Sequence, residues 1–491
     1  MTDSLPNRLG VVGAGTMGAG IAQLSALAGI ETHVHDPVAE ALAAGIEKTR
    51  SNLAKGAERG RWSADDANAA AGRLHTAAAL DGLEGCGFVI EAAPERLELK
   101  RELFQSLSAI CGTDAVLATN TSSIPVTFLA SAAARPENVV GMHFFNPAPL
   151  MRLVEVIRGI DTSDETLART RTLGEAMGKR VILAADGPGF LVNRCGRPFY
   201  TEALRLLQER VATHEQIDRI CRLGAGFRMG PFELMDMVGI DVGFEVAKSF
   251  NELSFGEPRW RPNPIQERMA RGGRHGRKSG RGYYDYSGDE HRPPDPEPLE
   301  PGGGENRAIT IAGGGAVADG LVERARAAGY EVLTEAGDPV EVRALGLPPM
   351  LLCADRSLRA LDDPDAVGFN LVPPVEASQL VELTGPRSEQ VELHWNRLGF
   401  HTEWVEDAPG LVLGRIVAQL VNEALFAIGE GVGSPEDVDA GLELGLNHPR
   451  GPVGWGRTIG FDRVLAAIEG LWAERRDERY RPAPLLVRGG P

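Results

Sequence analysis

The sequence predicts an α/β Rossmann-type domain followed by an all-α domain, the two-domain unit being duplicated with a degenerate second copy. Three observations carry this expectation. Residues 9 to 183 alternate short apolar runs (LGVVGAG, ETHVHD, FVIEAA, AVLATNTS, NVVGMHFF, LVEVI, RVILAA) with helical segments, as a doubly wound parallel sheet requires. From about Asp186 to Phe250 the apolar spacing changes to three and four, in FLVNRCGRPFYTEALRLLQE and IDRICRLGAG, which is helical periodicity. The second half then repeats the first. A constant shift of 221 brings Asp186 onto Asp407, Glu202 onto Glu423, Asp218 onto Asp439, Leu223 onto Leu444, Gly230 onto Gly451, and Gly239 and Asp241 onto Gly460 and Asp462.

In chain order, the expected pieces are an α/β domain over 1–185, a helical domain over 186–288 and a linker over 289–306. A truncated α/β domain over 307–405 and a second helical domain over 406–491 follow. The linker, DEHRPPDPEPLEPGGGE, is rich in proline, glycine and acid without periodicity, so an extended or mobile segment is expected. At 491 residues, 43% hydrophobic and 24% charged, the chain has an ordinary globular composition. No apolar run reaches the roughly 20 residues that span a bilayer, and the start MTDSLPNRLGVVGAG lacks the basic and apolar regions of a secretory signal. Five scattered cysteines without a CxxC pair read as reduced thiols of a cytoplasmic protein; neither disulfides nor a metal site are expected. A net charge of −17 disfavours nucleic-acid and anionic-membrane partners. Any anionic ligand then needs a local basic cluster, and Lys55, Arg59 and Arg61 form the candidate.

LGVVGAGTMGAGI places Gly13, Gly15 and Gly18 as GxGxxG directly after a strand and at the opening of a helix. The first glycine makes the turn, the second lets backbone approach a pyrophosphate, and the third lets helix pack on strand. Asp36 ends the next strand, and no arginine follows it in DPVAEALA. A carboxylate there hydrogen-bonds ribose hydroxyls and repels a 2′-phosphate, so the cofactor expected is NAD.

TNTSS (119–123), MHFFNPAPLMRLVEVI (142–157), GPGFLVNR (187–194), EAAPERLELKRELF (91–104), LGAGFRMGPFELMD and GRKSGRGYYDY follow in order. Together with the glycine motif they resemble the L-3-hydroxyacyl-CoA dehydrogenase family over residues 8 to 286. The two-unit plan further resembles the 3-hydroxyadipyl-CoA and 3-hydroxybutyryl-CoA dehydrogenases of phenylacetate degradation. The resemblance implies NAD-dependent oxidation of an (S)-3-hydroxyacyl-CoA to the 3-oxoacyl-CoA. It makes His143 the base, Glu155 the carboxylate that orients it, and Ser122 and Asn193 the polar groups on the reacting oxygen and thioester. Gly13, Gly15, Met17, Gly18, Asp36, Glu95, Lys100, Ser122, Asn146 and Lys278 are implied on the cofactor side, with Lys55 and Arg59 near coenzyme A. In the family the helical domains pair, so duplication implies an internal pseudo-dimer; homo-oligomerisation beyond that pairing stays open.

The residue types suit the chemistry. Oxidising a secondary alcohol needs a base of near-neutral pKa, and imidazole is one. A carboxylate on its second nitrogen fixes the tautomer and stabilises the imidazolium. Taken singly, His143 reads as a core histidine and Glu155 as a sheet-paired acid. Ser122 reads as the cap of a helix starting near Ile124, and Asn193 as a helix backbone partner. As one ordered set behind a dinucleotide motif, they read as a site. A sugar-acid dehydrogenase of the L-gulonate type and a non-enzymatic NAD-binding protein are the alternatives; the basic cluster argues against the first, the complete site set against the second.

The second half has lost these groups. Ala318 stands at the third glycine of AGGGAVADG, Ala336 at the acid, Asn370 at His143 and Gly414 at Asn193. Only Glu382 persists, at Glu155, and Ser357 in ADRSL is a weak echo of TNTSS.

Overall fold

In the computed structural model, which describes residues 5–491, the apolar run β1 (Arg8–Val12) feeds through the glycine turn into α1 (Thr16–Leu27). β2 (Glu31–His35), α2 (Ala39–Glu58), α3 (Ala64–Gly72), β3 (Leu74–Ala77) and β4 (Phe88–Glu91) follow. Then come α4 (Leu97–Ile110), β5 (Val116–Thr119), α5 (Val126–Ala130), β6 (Val139–Phe144), β7 (Leu153–Arg158), α6 (Asp164–Ala176) and β8 (Arg180–Ala185). These strands form one eight-stranded sheet in the order β3-β2-β1-β4-β5-β6-β7-β8. Every residue of β4, β5 and β6 is buried, so these strands read as continuous apolar runs rather than as alternation. Each fully buried Val, Ile or Phe contributes about 1.5–3 kcal/mol.

Two features of this sheet differ from expectation. β3 is absent from the predicted runs, because LHTA has too little apolar character; pairing with β2 makes it a strand. The sheet is also not wholly parallel. β6 and β7 run antiparallel, which sets His143 directly opposite Glu155.

The chain continues with α7 (Val192–Gln208), α8 (His214–Ala225), α9 (Pro231–Val238), α10 (Ile240–Leu253) and α11 (Pro264–Arg271). α8 opens with a capping box, Thr213 with Gln216, and stops at Gly226, whose φ of 75° is left-handed. The stretch after Gly288 is extended but pinned. His291 and Arg292 each meet Glu233 at 2.8 Å, and Arg222 holds Asp295 through two bonds of 2.8 Å.

The second half contains β9 (Ala308–Ala312), α12 (Ala316–Ala327), β10 (Glu331–Glu335), β11 (Glu341–Ala344), β12 (Met350–Leu352), β13 (Val367–Asn370) and β14 (Leu380–Thr384). α13 (Glu389–Arg397), β15 (His401–Trp404), α14 (Leu413–Gly429), α15 (Pro435–Gly445), α16 (Pro452–Ile459), α17 (Phe461–Arg475) and α18 (Pro484–Val487) complete it. Its sheet runs β10-β9-β11-β12-β13-β14-β15, with β11 antiparallel between β9 and β12. β11 occupies the stretch where the first half carries α2 and α3. A core of Ile309, Ile311, Phe369, Val381, Trp395 and their neighbours holds this sheet.

The chain divides into two units, one of residues up to Asn193 with Gly431–Leu446, the other of Arg194–Glu430 with Asn447–Pro491. In the first unit, α15 lies on the first sheet. The Ala185 N–H donates to Val432 O at 2.8 Å, and Gly441 approaches Val192 and Ile182 closely. In the second unit, α8 lies on the second sheet, and the Glu406 N–H donates to Val211 O at 2.8 Å. Within this same unit α7 and α14 are joined by buried ion pairs: Arg194 with Glu423 at 2.8 Å, and Arg415 with Glu202.

Candidate active site

The antiparallel β6/β7 pair closes His143 Nδ1 on Glu155 Oε2 at 2.7 Å, both side chains being buried. The other carboxylate oxygen accepts from the N–H groups of Leu191 (3.2 Å) and Val192 (2.9 Å) at the start of α7. Glu155 is thereby fixed from two sides and fixes the imidazole in turn. The Phe145 ring lies 4.7 Å from the His143 ring. Among the described residues Nε2 has no hydrogen-bond partner, so it is the nitrogen left for a ligand. Asn120, in TNTSS but not singled out by sequence reasoning, accepts from the Phe144 N–H at 2.8 Å and anchors the end of β6.

The glycine turn lies at the carboxyl end of β1. Gly13 has φ of 102°, and a Cβ on Gly18 would overlap the Gly13 carbonyl. Nothing stands within 4 Å of where a Gly15 Cβ would be. α1 has no side-chain cap and no acid in its first turn. Asp36 accepts from the Ala14 N–H at 2.9 Å and so sits beside the turn. An open face over Gly15, uncapped helix N–H groups and an adjacent acid fit a dinucleotide.

Glu95 accepts from the backbone of Ser122 (3.1 Å) and of Ser123 (3.2 Å), and from the hydroxyls of Thr121 and Ser123. Burial alone would raise its pKa; the Lys100 ammonium and the hydroxyl bonds outweigh burial and hold the carboxyl below its usual range. Lys100 is 1% exposed, its ammonium 2.8 Å from Glu91 and 3.1 Å from Glu95. It braces Glu95 from inside. Ser122 does not cap a helix: Thr121 Oγ1 receives the Ile124 N–H at 2.9 Å, and α5 starts only at Val126. Asn193 is half-buried on the first turn of α7, directly after the two N–H groups that hold Glu155. Met17 packs partly buried against the sheet core.

A cavity of about 360 Å³ opens between α1, α2 and the Asn146–Leu150 loop. Lys48, Lys55, Arg59, Arg61, Trp62 and Asn146 line it. Lys55 and Arg59 were expected there; Lys48 and Trp62 were not. The helical spacing of Lys48, Asn52, Lys55 and Arg59 was the available signal. Lys278 lies in the other unit, where it pairs with Asp241 at 2.7 Å.

In the second half, Asn370 Nδ2 donates to Glu382 at 3.0 Å, and the Val412 and Leu413 N–H groups bond the same carboxylate. With an amide in place of an imidazole, burial pushes Glu382 up to about 7 against those bonds. Ser357 caps a short 3₁₀ turn. Among the described residues no helix is long and apolar enough to cross a membrane, and no acid, His or Cys cluster could hold a metal.

A dinucleotide turn and a buried His–carboxylate pair on one sheet define a nicotinamide-dependent dehydrogenase that acts on an alcohol. Residues 8–187 match the 3-hydroxyacyl-CoA dehydrogenase, NAD binding domain, and residues 189–286 and again 410–489 match the C-terminal domain of that enzyme. The chain belongs to the 3-hydroxyacyl-CoA dehydrogenase family. It is 36% identical over 478 residues, 97% of this chain and 96% of the other, to 3-hydroxyadipyl-CoA dehydrogenase of Escherichia coli (strain K12). With a probable 3-hydroxybutyryl-CoA dehydrogenase of Bacillus subtilis (strain 168) it shares 40% over 276 residues, 56% of this chain and 96% of that one. The crystal structure of 3-hydroxybutyryl-CoA dehydrogenase from Escherichia coli K12 superposes with a TM-score of 0.87 at 33% identity, covering 99% of this chain and 98% of that one.

Proposed function

We propose that this enzyme oxidises short-chain (S)-3-hydroxyacyl-CoA or 3-hydroxyadipyl-CoA to the 3-oxoacyl-CoA, with NAD. The observation that carries the reading is the His143–Glu155 pair, closed at 2.7 Å on the sheet that bears the glycine turn. His143 Nε2 takes the hydroxyl proton, and Glu155, on Nδ1, stabilises the imidazolium that forms. Ser122 and Asn193 hold the reacting oxygen and the thioester carbonyl. Glu95, braced by Lys100, and Asn146 would hold the ribose on the nicotinamide side, and Asp36 would hold the adenosine ribose. NAD held at the glycine turn would supply the acceptor for the hydride leaving carbon 3. Lys48, Lys55, Arg59 and Arg61 receive the coenzyme A phosphates, and Trp62 offers an aromatic wall. A sugar acid brings no phosphates to four such cations.

The second half is read as a degenerate copy of the first, with domain limits at 185, 288, 306 and 405. Supporting this are the family's C-terminal domain matching twice and a relative covered almost whole by 56% of this chain. Contacts that recur with partners exchanged point the same way. Arg194–Glu423 and Arg415–Glu202 are one contact read in both directions under the 221 shift, as are Ala185–Val432 and Glu406–Val211. That is the signature of an isologous interface, here inside one chain. The second copy has neither base nor intact dinucleotide turn, and it acts as an attached pseudo-subunit. Cysteines that form no disulfide among the described residues suit a reducing compartment, the cytoplasm.

Initial rates with NAD on 3-hydroxybutyryl-CoA, 3-hydroxyadipyl-CoA and long-chain analogues test the reading. Turnover of the first two at ten times the long-chain rate or more is expected. No turnover of any 3-hydroxyacyl-CoA, with a free sugar acid oxidised instead, would overturn it.

A further inference from the structure

α15 belongs to the second half of the chain yet lies on β7 and β8 of the first sheet. Its last residue, Gly445, is buried. A Cβ at this position would stand 2.9 Å from Leu153 Cδ2, 3.2 Å from Val192 Cγ1 and 3.4 Å from Phe145 Cε1. Each of these three neighbours bears on the His143–Glu155 pair. The Phe145 ring centroid lies 4.7 Å from that of the imidazole, the two planes tilted by 56°, and the Val192 N–H donates to Glu155 at 2.9 Å. Leu153 precedes Glu155 by two residues on β7 and shares its face of the sheet. Side chains packed at interior density transmit such a displacement instead of absorbing it.

We propose that Gly445 is a positioning residue for the catalytic pair, so that the second half, lacking a base of its own, sets the geometry of the first half's site. The inference rests on His143 being the base. The protein also contains an internal comparison. Gly224, at the 221-shifted position on α8, meets Leu413 Cδ2 at 2.9 Å by the same measure, and the Leu413 N–H donates to Glu382. There Asn370 replaces the histidine, so the same packing supports no base.

The test uses the full chain with Gly445→Ala, Gly445→Val and Gly224→Val, measuring kcat, both KM values, the pH profile, NAD affinity and the melting temperature. Gly445→Val is expected to lower kcat at least tenfold and move the acid limb of the pH profile, with NAD affinity within twofold of wild type. Gly445→Ala should move the same readouts less, and adding Leu153→Ala to Gly445→Val should recover kcat at least threefold. Gly224→Val is expected to lower the melting temperature while kcat and pH profile stay within twofold. Equal loss of kcat in Gly445→Val and Gly224→Val, or wild-type kcat in Gly445→Val, overturns the proposal. If Gly445→Val does not fold, Gly445→Ala decides: an unchanged kcat and pH profile overturn it. A wild-type chain that oxidises no 3-hydroxyacyl-CoA defeats the activity reading itself, whereas wild-type turnover with an unaffected Gly445→Val defeats only this inference.

Discussion

His143 and Glu155 meet because β6 turns back on β7 and the register sets them opposite each other. Neither residue type demands this. A histidine flanked by Met142 and Phe144 reads equally well as core, and burial of both partners is the structural half of that expectation. What sets this pair apart is Nε2, left without a hydrogen-bond partner among the described residues; the N–H clamp on the carboxylate recurs at Glu382 and does not by itself mark a site. Replacing His143 by Asn keeps a polar side chain against Glu155, which is the arrangement already present between Asn370 and Glu382. Because a positioned base contributes roughly 10²–10⁴ in rate, His143→Asn should lower kcat by at least ~10²-fold and leave NAD affinity unchanged. Fluorescence titration beside steady-state kinetics checks both, and retained turnover would refute the base assignment.

At the scale of elements, the turn between β1 and α1 divides its work between two glycines. Gly18 faces protein, its Cβ position overlapping the Gly13 carbonyl, whereas Gly15 faces open space. Gly18→Ala should therefore displace α1 from β1, costing stability on the order of 1–3 kcal/mol together with cofactor binding. Gly15→Ala should melt like wild type yet bind NAD at least tenfold more weakly. Melting curves with and without NAD separate the two, and equal destabilisation would show the assignment wrong. The corresponding turn of the second half departs from this one: Gly313 has φ of 103°, but Gly315 has φ of 90° where Gly15 has −65°, and Ala318 occupies the buried third position.

At the scale of the whole molecule, the 221 shift brings Phe227 onto His448, and within the second unit these two rings meet edge to face with centroids 5.1 Å apart. Burial lowers His448 to about 3, well under its unfolded value. The unfolded chain therefore binds the extra proton first, and stability is lost as pH falls from about 6.5 toward 3. At pH 5 this one group costs about 2 kcal/mol relative to neutral pH. In His448→Phe the stability difference between pH 7 and pH 5, from denaturant unfolding, should shrink by about that amount. An unchanged difference would show that another group governs acid stability.

The alternation of strands and helices, the glycine turn followed by its acid and the second helical block were legible in the sequence, because each is written in local periodicity, turn chemistry or a fixed spacing. The antiparallel turn of β6 on β7, the place of β3, the brace of Lys100 between two carboxylates and the laying of α15 on the first sheet were not. Those depend on which segments pair across long separations of chain, and a strand or helix of given pattern accepts more than one partner until packing selects it. Tertiary structure alone decided that α15, from the second half of the chain, lies on β7 and β8 of the first sheet, since Gly445 fits where Leu153, Val192 and Phe145 leave room for no side chain.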